Sequence, residues 1–188
     1  MKVLVKPTRA RVGVRAFGPH RALPVAVAVV LAVFVPALPA SASPSNCTVN
    51  GATQSGTVIN GTPGDDTIVC ANGINSGTTV NGLDGNDTVT TNNNIGVVNG
   101  GAGHDTLTLT SLNYGTANGG DGDDKISTPD NAKTPYVTGI IHGDLGNDTL
   151  TVTANSGINS STIYGDAGDD TIKVRTNYIK TGQILGGT

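Results

Sequence analysis

The chain of 188 residues contains no tryptophan and no glutamate, and its two phenylalanines, Phe17 and Phe34, stand near the N-terminus. All 14 acidic residues are therefore aspartates. Without glutamate the metalloprotease motif H-E-x-x-H is excluded, and the hydrolase motif G-x-S-x-G does not occur either. Since no catalytic motif is recognisable, the sequence predicts that the protein is not an enzyme.

Positive charge is scarce after residue 21. Of the 11 basic residues, six stand in the first 21 positions, at Lys2, Lys6, Arg9, Arg11, Arg15 and Arg21. The rest of the chain keeps 5 basic residues against 14 aspartates, so its formal net charge is −9, compared with −3 for the whole chain. An acidic chain without a basic patch argues against nucleic acids and anionic membranes as partners.

One long hydrophobic run follows the basic segment, at residues 22–38. Prolines bound its apolar stretch to about 14 residues, whereas a transmembrane helix needs about 20. Residues 40–42, Ala-Ser-Ala, offer a small-x-small cleavage site. This order predicts a cleaved secretory signal peptide at residues 1–42, a secreted protein, and no membrane span in the mature form. A membrane anchor is the alternative interpretation.

Cysteine is also rare, and Cys47 and Cys70 are the only two. Both follow the predicted signal peptide, and an oxidising compartment favours a disulfide between them. The bond would close a loop of about 24 residues, which contributes about 3 kcal/mol in the chain-entropy model. Two free thiols are the alternative. We expect residues 43–58 to form an N-terminal cap that this bond pins.

Glycine, in contrast, is abundant, with 27 residues, and much of it belongs to one repeated pattern. The pattern G-x-x-G-x-D, followed by any residue and then an apolar one, occurs six times, for example as GGAGHDTL at residues 100–107. Successive motif aspartates are 21, 18, 19, 24 and 22 residues apart. These aspartates are Asp66, Asp87, Asp105, Asp124, Asp148 and Asp170.

Apolar residues keep step with the motif aspartates. Seven residues before them stand Ile59, Val80, Val98, Ala117, Ile141 and Ile163, and two residues after them stand Ile68, Val89, Leu107, Ile126, Leu150 and Ile172. Each period therefore predicts a strand, a glycine turn, a second strand and a turn of variable length. Stacked coils would place equivalent residues about 4.8 Å apart and bury both columns in a narrow core.

This periodicity predicts an all-β solenoid with coils of about 20 residues over residues 59–188. Before it, residues 47–56, CTVNGATQSG, resemble a degraded coil. A thin core of two sheets has little room for large rings, which agrees with the scarcity of aromatic residues. A disordered chain of low complexity is the alternative, and the regular apolar columns argue against it.

Stacking would also align the six motif aspartates in one row along the glycine edge. Thirteen of the 14 aspartates fall in these turns, and their mutual repulsion would oppose folding. Calcium would remove this repulsion, because it takes six to eight oxygen ligands from carboxylates and backbone carbonyls in adaptable geometry. Magnesium fits less well, since it demands stricter geometry. The sequence therefore predicts calcium binding at the glycine edge.

The motif resembles the hemolysin-type, or repeats-in-toxin (RTX), nonapeptide G-G-x-G-x-D-x-U-x. Residues 100–107 and 119–126 carry its full pattern, and the other four copies lack the second glycine. The resemblance implies a right-handed parallel β-roll with up to about five calcium ions between its six turns. It implies that these ions are held by the motif aspartates and by carbonyls near the glycines. The residues concerned are Gly61, Gly64, Asp66, Gly82, Gly85, Asp87, Gly100, Gly103, Asp105, Gly119, Gly122, Asp124, Gly143, Gly146, Asp148, Gly165, Gly168 and Asp170.

Two features depart from the family pattern. Family nonapeptides run in direct tandem and bind calcium at both edges, whereas here the motif appears once per coil. We therefore expect one calcium edge and one bare edge. Family toxins usually leave the cell through a dedicated exporter that reads a C-terminal signal, whereas this chain begins with a predicted secretory signal. That difference argues against a toxin role.

Two further candidate sites, the histidines and an EF-hand loop, do not indicate a separate function. His104 and His142 occupy turn positions, and we interpret them as surface residues. An EF-hand is excluded because its loop ends in a bidentate glutamate.

Three functional hypotheses follow from the sequence. The first is a secreted, non-catalytic calcium-binding β-roll whose fold depends on calcium. The second is a repeat fragment of a larger exported enzyme or adhesin, and the third is a metal-free structural solenoid. Residues 184–188, ILGGT, open a seventh motif that is truncated. We expect either that the natural product extends beyond Thr188 or that the last coil self-associates.

Overall fold

The computed structural model describes residues 43–111, 113–130, 139–154, 161–176 and 182–187. All of them belong to one compact unit, Pro39–Thr188. The predicted signal peptide at residues 1–42 lies outside the described residues. Regular structure in the described ranges consists of β-strands, and these ranges contain no helix that could cross a membrane.

The strands alternate between two sheets. The first sheet has the order β14-β12-β10-β8-β6-β4-β1-β2 and the second the order β15-β13-β11-β9-β7-β5-β3. The first consists of β1 (Ser45–Val49), β2 (Ala52–Gly56), β4 (Thr67–Cys70), β6 (Thr88–Thr91), β8 (Thr106–Leu109), β10 (Lys125–Asp130), β12 (Thr149–Ala154) and β14 (Thr171–Thr176). The second consists of β3 (Val58–Asn60), β5 (Thr79–Asp84), β7 (Val97–Ala102), β9 (Thr116–Asp121), β11 (Ile140–Leu145), β13 (Thr162–Tyr164) and β15 (Gln183–Leu185). From β3 onward each coil adds one parallel strand to each sheet.

The strand register confirms the repeat spacing that the sequence predicts. In the first sheet Ile68 pairs with Val89, and Val89 pairs with Leu107. Leu107 pairs with Ile126 in turn, and the same column continues to Ile172. The predicted all-β solenoid is therefore confirmed. Six parallel strands stack in this column over about five full windings, and successive coils are about 21 residues apart.

The core lies between the two sheets and consists of the two predicted apolar columns. In the second sheet the column from Ile59 to Ile163 is at most 5% exposed, and in the first sheet the column from Ile68 to Leu150 is at most 1% exposed. Ile172, the last member, is partly buried. Because each coil adds so few core residues, no coil could bury its apolar face without its neighbours.

Residues 47–56 form an antiparallel hairpin, whereas the sequence suggests a degraded coil. Strands β1 and β2 pair antiparallel through a turn at Asn50 and Gly51, whose φ values are 50° and 82°. An Asn-Gly pair with two positive φ values favours a two-residue hairpin turn, and this preference outweighs the weak similarity to a repeat. Strand β1 also pairs antiparallel with β4, and the predicted disulfide Cys47–Cys70 joins these two strands.

Buried asparagines occupy the edge opposite the glycine turns. Ile74, Asn94 and Asn113 form short parallel bridges from coil to coil. Asn94 is fully buried, and its Nδ2 donates to Oδ1 of Asn113 and to the carbonyl of Thr116, both at 3.0 Å. A neutral amide pair thus connects the coils of Asn94 and Asn113 at this edge, where the sequence indicated only loops of variable length.

Candidate metal centre

The six glycine turns stack on one another where strands of the second sheet lead into strands of the first. In the third turn, for example, the chain leaves β7, passes through Gly103 and Asp105, and enters β8. All the predicted site residues, from Gly61 to Asp170, are described. The fourth glycine and the aspartate of each motif lie in these turns, and the first glycine lies in or directly after the preceding strand. The parallel register therefore brings the motif aspartates together in one row.

The motif aspartates are buried. Asp66, Asp87, Asp105, Asp124 and Asp148 are each at most 2% exposed, and Asp170 in the last turn is partly buried. The sequence predicts the row but not this burial, since aspartate in a glycine-rich turn is usually solvated. Among the described residues the one close contact between a basic and an acidic side chain joins His142 to Asp166, so no described basic side chain pairs with the row.

Hydrogen bonds link the aspartates from coil to coil. The backbone amide of Asp87 donates to Oδ1 of Asp105 at 2.7 Å, and the amide of Asp105 donates to Oδ1 of Asp124 at 2.7 Å. Equivalent bonds of 2.7 to 2.9 Å connect the other neighbours in the row. From Asp87 onward, one oxygen of each carboxylate is therefore satisfied by the backbone of the preceding coil.

The second carboxylate oxygen of these aspartates is buried without a hydrogen-bond partner. Among the described residues this applies to Oδ2 of Asp87, Asp105, Asp124, Asp148 and Asp170. A buried polar atom without a partner is costly, and five in one row call for a specific explanation. One such oxygen therefore recurs in each turn from Asp87 to Asp170.

Backbone carbonyls converge on the same places. A β-carbon on Gly100 would overlap both Oδ2 of Asp105 and the carbonyl oxygen of Gly119. Gly82 lies in the same way against Asp87 and Gly100. The first glycine of the motif is therefore required because it lets carboxylate and carbonyl oxygens approach each other. Such a set of hard oxygen donors fits calcium.

Burial makes the charged row unfavourable in the protein alone. Burial raises the pKa of Asp124 to about 7. The hydrogen bond from the Asp105 amide lowers this pKa, and the neighbouring carboxylates raise it further. Burial likewise raises the pKa of Asp87 and of Asp148 to about 6, and it raises the pKa of Asp105. A cation placed among these carboxylates would favour their charged form.

Asp66, at the start of the row, has a different environment. Its Oδ2 accepts a hydrogen bond from the amide of Thr62 at 2.5 Å, and its Oδ1 accepts one from Nδ2 of Asn50. The Thr62 amide lowers the pKa of Asp66, and the Thr62 hydroxyl and Asn50 add to this effect while burial opposes it. Asn50 in the hairpin turn thus supplies the donor that an earlier coil would otherwise provide.

The second motif position has a left-handed backbone in five of the six copies, and Thr62 in the first copy is the exception. At the second motif position Gly101 and Gly120 have φ values of 127° and 118°. Leu83, Asp144 and Asp166 take this position in other copies, and they keep positive φ values of 91°, 73° and 68°. Stacking therefore imposes the left-handed conformation even where the residue disfavours it.

A second ladder on the turns involves the residue before each motif aspartate. The amide of His104 donates to Oδ1 of Asn86 at 2.8 Å, and the amide of Asp123 donates to Nδ1 of His104 at 2.9 Å. These bonds run toward the preceding coil, opposite to those of the aspartate row. His104 is exposed, as expected from the sequence, and its ring is a structural acceptor in this ladder.

A third ladder of asparagines runs along the second sheet. The Nδ2 atoms of Asn81, Asn99 and Asn118 each donate to Oδ1 of the preceding asparagine at 2.7 to 2.8 Å, beginning with Asn60. Our sequence reasoning missed this ladder, although asparagine directly precedes the first glycine in the first four motifs. Stacked amides of this kind stabilise parallel in-register strands.

Comparison with known proteins agrees with this geometry. Residues 72–107 match the family model of the RTX calcium-binding nonapeptide repeat, which spans four copies. Two of the six motifs described above lie in this segment, at residues 82–89 and 100–107. Neither the curated proteins nor the solved structures gave a match. The matched segment includes Asp87 and Asp105 of the row. The chain thus contains RTX calcium-binding repeats folded as a β-solenoid, and these two properties together support a calcium-binding β-roll.

Proposed function

We propose that the protein is a secreted, non-catalytic β-roll that needs calcium to fold. The observation that carries this proposal is the row of five buried carboxylate oxygens without a hydrogen-bond partner. Each belongs to an aspartate of the RTX-type motif, and each lies beside the first glycine of its own motif. Calcium between successive turns would complete the coordination of these oxygens and compensate their charge.

The motif residues of all six turns form the proposed binding edge. The aspartates would supply carboxylate oxygens, and the backbone near the first and fourth glycines would supply carbonyl oxygens. Five orphaned oxygens correspond to up to five ions, one between each pair of neighbouring turns. The opposite edge would remain free of calcium, because Nδ2 of Asn94 donates to Oδ1 of Asn113 and the remaining polar atoms of both side chains bond to the backbone.

Calcium concentration would then decide where the chain folds. An ion that binds only the folded state contributes RT ln(1 + L/Kd) per site, where L is its free concentration. Extracellular calcium modules have dissociation constants of about 10⁻⁴ to 10⁻³ M. Such sites fill outside a cell and not inside it. The basic and apolar N-terminal segment, the disulfide and the acidic mature chain support secretion.

Calcium titration of the purified chain tests this function. Far-ultraviolet circular dichroism should show little β signal in a chelator and a cooperative gain as calcium is added. Isothermal titration calorimetry should count up to five ions, and magnesium at the same concentrations should restore much less β signal. An unchanged spectrum between chelator and calcium, with no heat of binding, would contradict the proposal.

We also propose that the calcium-bound chain self-associates through its last coil. Ile184 and Leu185 in β15, the outer strand of its sheet, are 45% and 43% exposed. An exposed apolar strand edge is a template for pairing with another chain. Light scattering in calcium should therefore detect a dimer or larger species that Ile184→Lys converts to a monomer. A monomeric unmodified chain at high concentration would contradict this proposal.

A further inference from the structure

The outer face of the second sheet changes its side chains in the last two coils. The asparagine ladder ends at Asn118, and His142 and Tyr164 take the equivalent places in β11 and β13. At the second motif position, glycine in the two central coils is replaced by Asp144 and Asp166. The change introduces an imidazole and two carboxylates on one small area of the surface.

Strand geometry brings these three side chains together. His142 and Asp144 are both partly exposed in β11 and are separated by the buried Gly143. The bridge between Leu145 and Ala167 sets Asp166 beside Asp144 in the next coil. Nδ1 of His142 and Oδ2 of Asp166 are 2.8 Å apart, and one ligand atom from each of the three residues lies within 4.8 Å of the others.

The imidazole is held in place by its neighbour. The rings of His142 and Tyr164 stack with a centroid distance of 4.4 Å and an interplanar angle of 2°. His142 and Asp166 keep 29% and 34% of their side-chain surface exposed. The cluster is therefore ordered on one side and accessible to an ion and to water on the other.

From this arrangement we propose that His142, Asp144 and Asp166 bind a divalent transition-metal ion of the zinc class. Two ligands at about 2.1 Å from one ion are about 3.0 to 3.4 Å apart, so the His142–Asp166 pair needs to open by a few tenths of an ångström. The Asp144 oxygen, which lies within 4.8 Å of the other two ligand atoms, needs to approach them by at most about 1.8 Å, which a side-chain rotation can supply. An imidazole nitrogen among the ligands favours zinc, copper or nickel over calcium, which prefers oxygen. Three protein ligands leave coordination positions for water.

This site is separate from the aspartate row. Asp148 and Asp170, the row aspartates of the same two turns, have Oδ2 atoms that are buried, whereas the cluster is on the outer face. Asp144 and Asp166 also keep left-handed φ values where glycine would relieve strain.

Zinc titration of the purified chain in excess calcium tests the proposal. We expect one zinc ion per chain by calorimetry, with affinity at least about tenfold weaker in His142→Asn and in Asp166→Gly. Both variants restore the residue type found at the same position in the central coils, so the calcium-dependent β signal should persist. His104→Asn is the matched control, because Asn86 and Asn147 hold its equivalent positions, and it should bind zinc as the unmodified chain does.

Nuclear magnetic resonance of the unmodified chain supplies a readout that needs no variant. Zinc should shift the imidazole nitrogen signals of His142 and leave those of His104 in place. Equal zinc binding by His142→Asn and the unmodified chain would overturn the proposal. So would loss of zinc binding in His104→Asn, or complete displacement of zinc by millimolar calcium. Zinc binding and calcium-induced folding are measured separately. The zinc proposal can therefore be contradicted while the calcium proposal holds, and the reverse.

Discussion

The backbone amide of Asp105 donates a 2.7 Å hydrogen bond to Oδ1 of Asp124 in the next coil, whereas Oδ2 of Asp124 is buried without a partner. The two oxygens of one carboxylate thus have different tasks. The first connects neighbouring coils, and the second is available to a cation. Substitutions that keep the first oxygen and remove the second can separate the two tasks.

Asp124→Asn is such a substitution, and it should affect the two states in opposite directions. The amide keeps an oxygen to accept from Asp105, removes a buried charge, and places an NH₂ group near the Gly143 carbonyl. The β signal in chelator should therefore rise. In calcium the chain should bind about one ion fewer, and the affinity at the adjacent sites should fall about tenfold.

Asp84→Asn is the matched control, because Asp84 is an exposed aspartate of the second turn outside the row. It should change neither the spectrum in chelator nor the number of ions measured by calorimetry. Equal calcium binding by Asp124→Asn and Asp84→Asn would exclude the row as the binding edge.

The sequence was sufficient to predict the solenoid, because two signals repeat in phase. Ile68, Val89 and Leu107 recur at a constant offset from the motif aspartates, and burial of such a column requires stacking. The hairpin at Asn50 and Gly51 was not predicted. There the weak repeat similarity masked a stronger local preference for a two-residue turn.

The sequence predicted that the turns stack, but it did not predict which of their side chains are buried or which side chains of different coils come together. Burial of Asp105 depends on the backbone of three successive coils, which no single motif contains. The grouping of His142, Asp144 and Asp166 depends on strand register, since Asp166 lies 22 residues after Asp144 in the chain. The asparagine ladder had a visible signal in the Asn-Gly pairs, but these pairs are also typical of turns.

Alanine at Gly100 should destabilise the fold far more than alanine at Gly64. A β-carbon on Gly100 would overlap Oδ2 of Asp105 and the Gly119 carbonyl, whereas a β-carbon on Gly64 would have nothing within 4 Å. We expect Gly100→Ala to lower the free energy of unfolding by about 2 kcal/mol or more and Gly64→Ala to change it by less than about 0.5 kcal/mol. Urea unfolding in saturating calcium measures both values. Similar losses would show that the first glycine is not needed for close approach.

Leu83→Gly should stabilise the fold, since Leu83 is 39% exposed and has a φ value of 91°. Relief of a left-handed conformation returns about 1 to 2 kcal/mol, and the added flexibility of glycine removes about 0.5 to 1 kcal/mol. We therefore expect a net gain of about 0.5 to 1 kcal/mol in urea unfolding. Leu145→Gly is the control, because Leu145 is also exposed but has no positive φ, and it should only lose stability. A loss in both variants would contradict this account of the second motif position.

Acidification should favour the calcium-free fold. Burial raises the pKa of Asp87 and Asp148 to about 6 and that of Asp124 to about 7, whereas an unfolded aspartate titrates near 3.9. The folded chain therefore binds more protons than the unfolded chain between about pH 4 and pH 7. By linkage, the stabilisation from these protons is present below about pH 4 and is lost as the pH rises through 6 to 7.

The β signal in chelator should accordingly increase when the pH is lowered from 8 to 5. The triple variant Asp87→Asn, Asp124→Asn and Asp148→Asn should lose most of this dependence, because its side chains are neutral throughout. Asp66 works in the opposite direction, since its pKa is lowered, and its stabilisation is lost only below about pH 4. A chelated chain whose β signal falls steadily from pH 8 to 5 would show that the buried carboxylates do not carry this proton linkage.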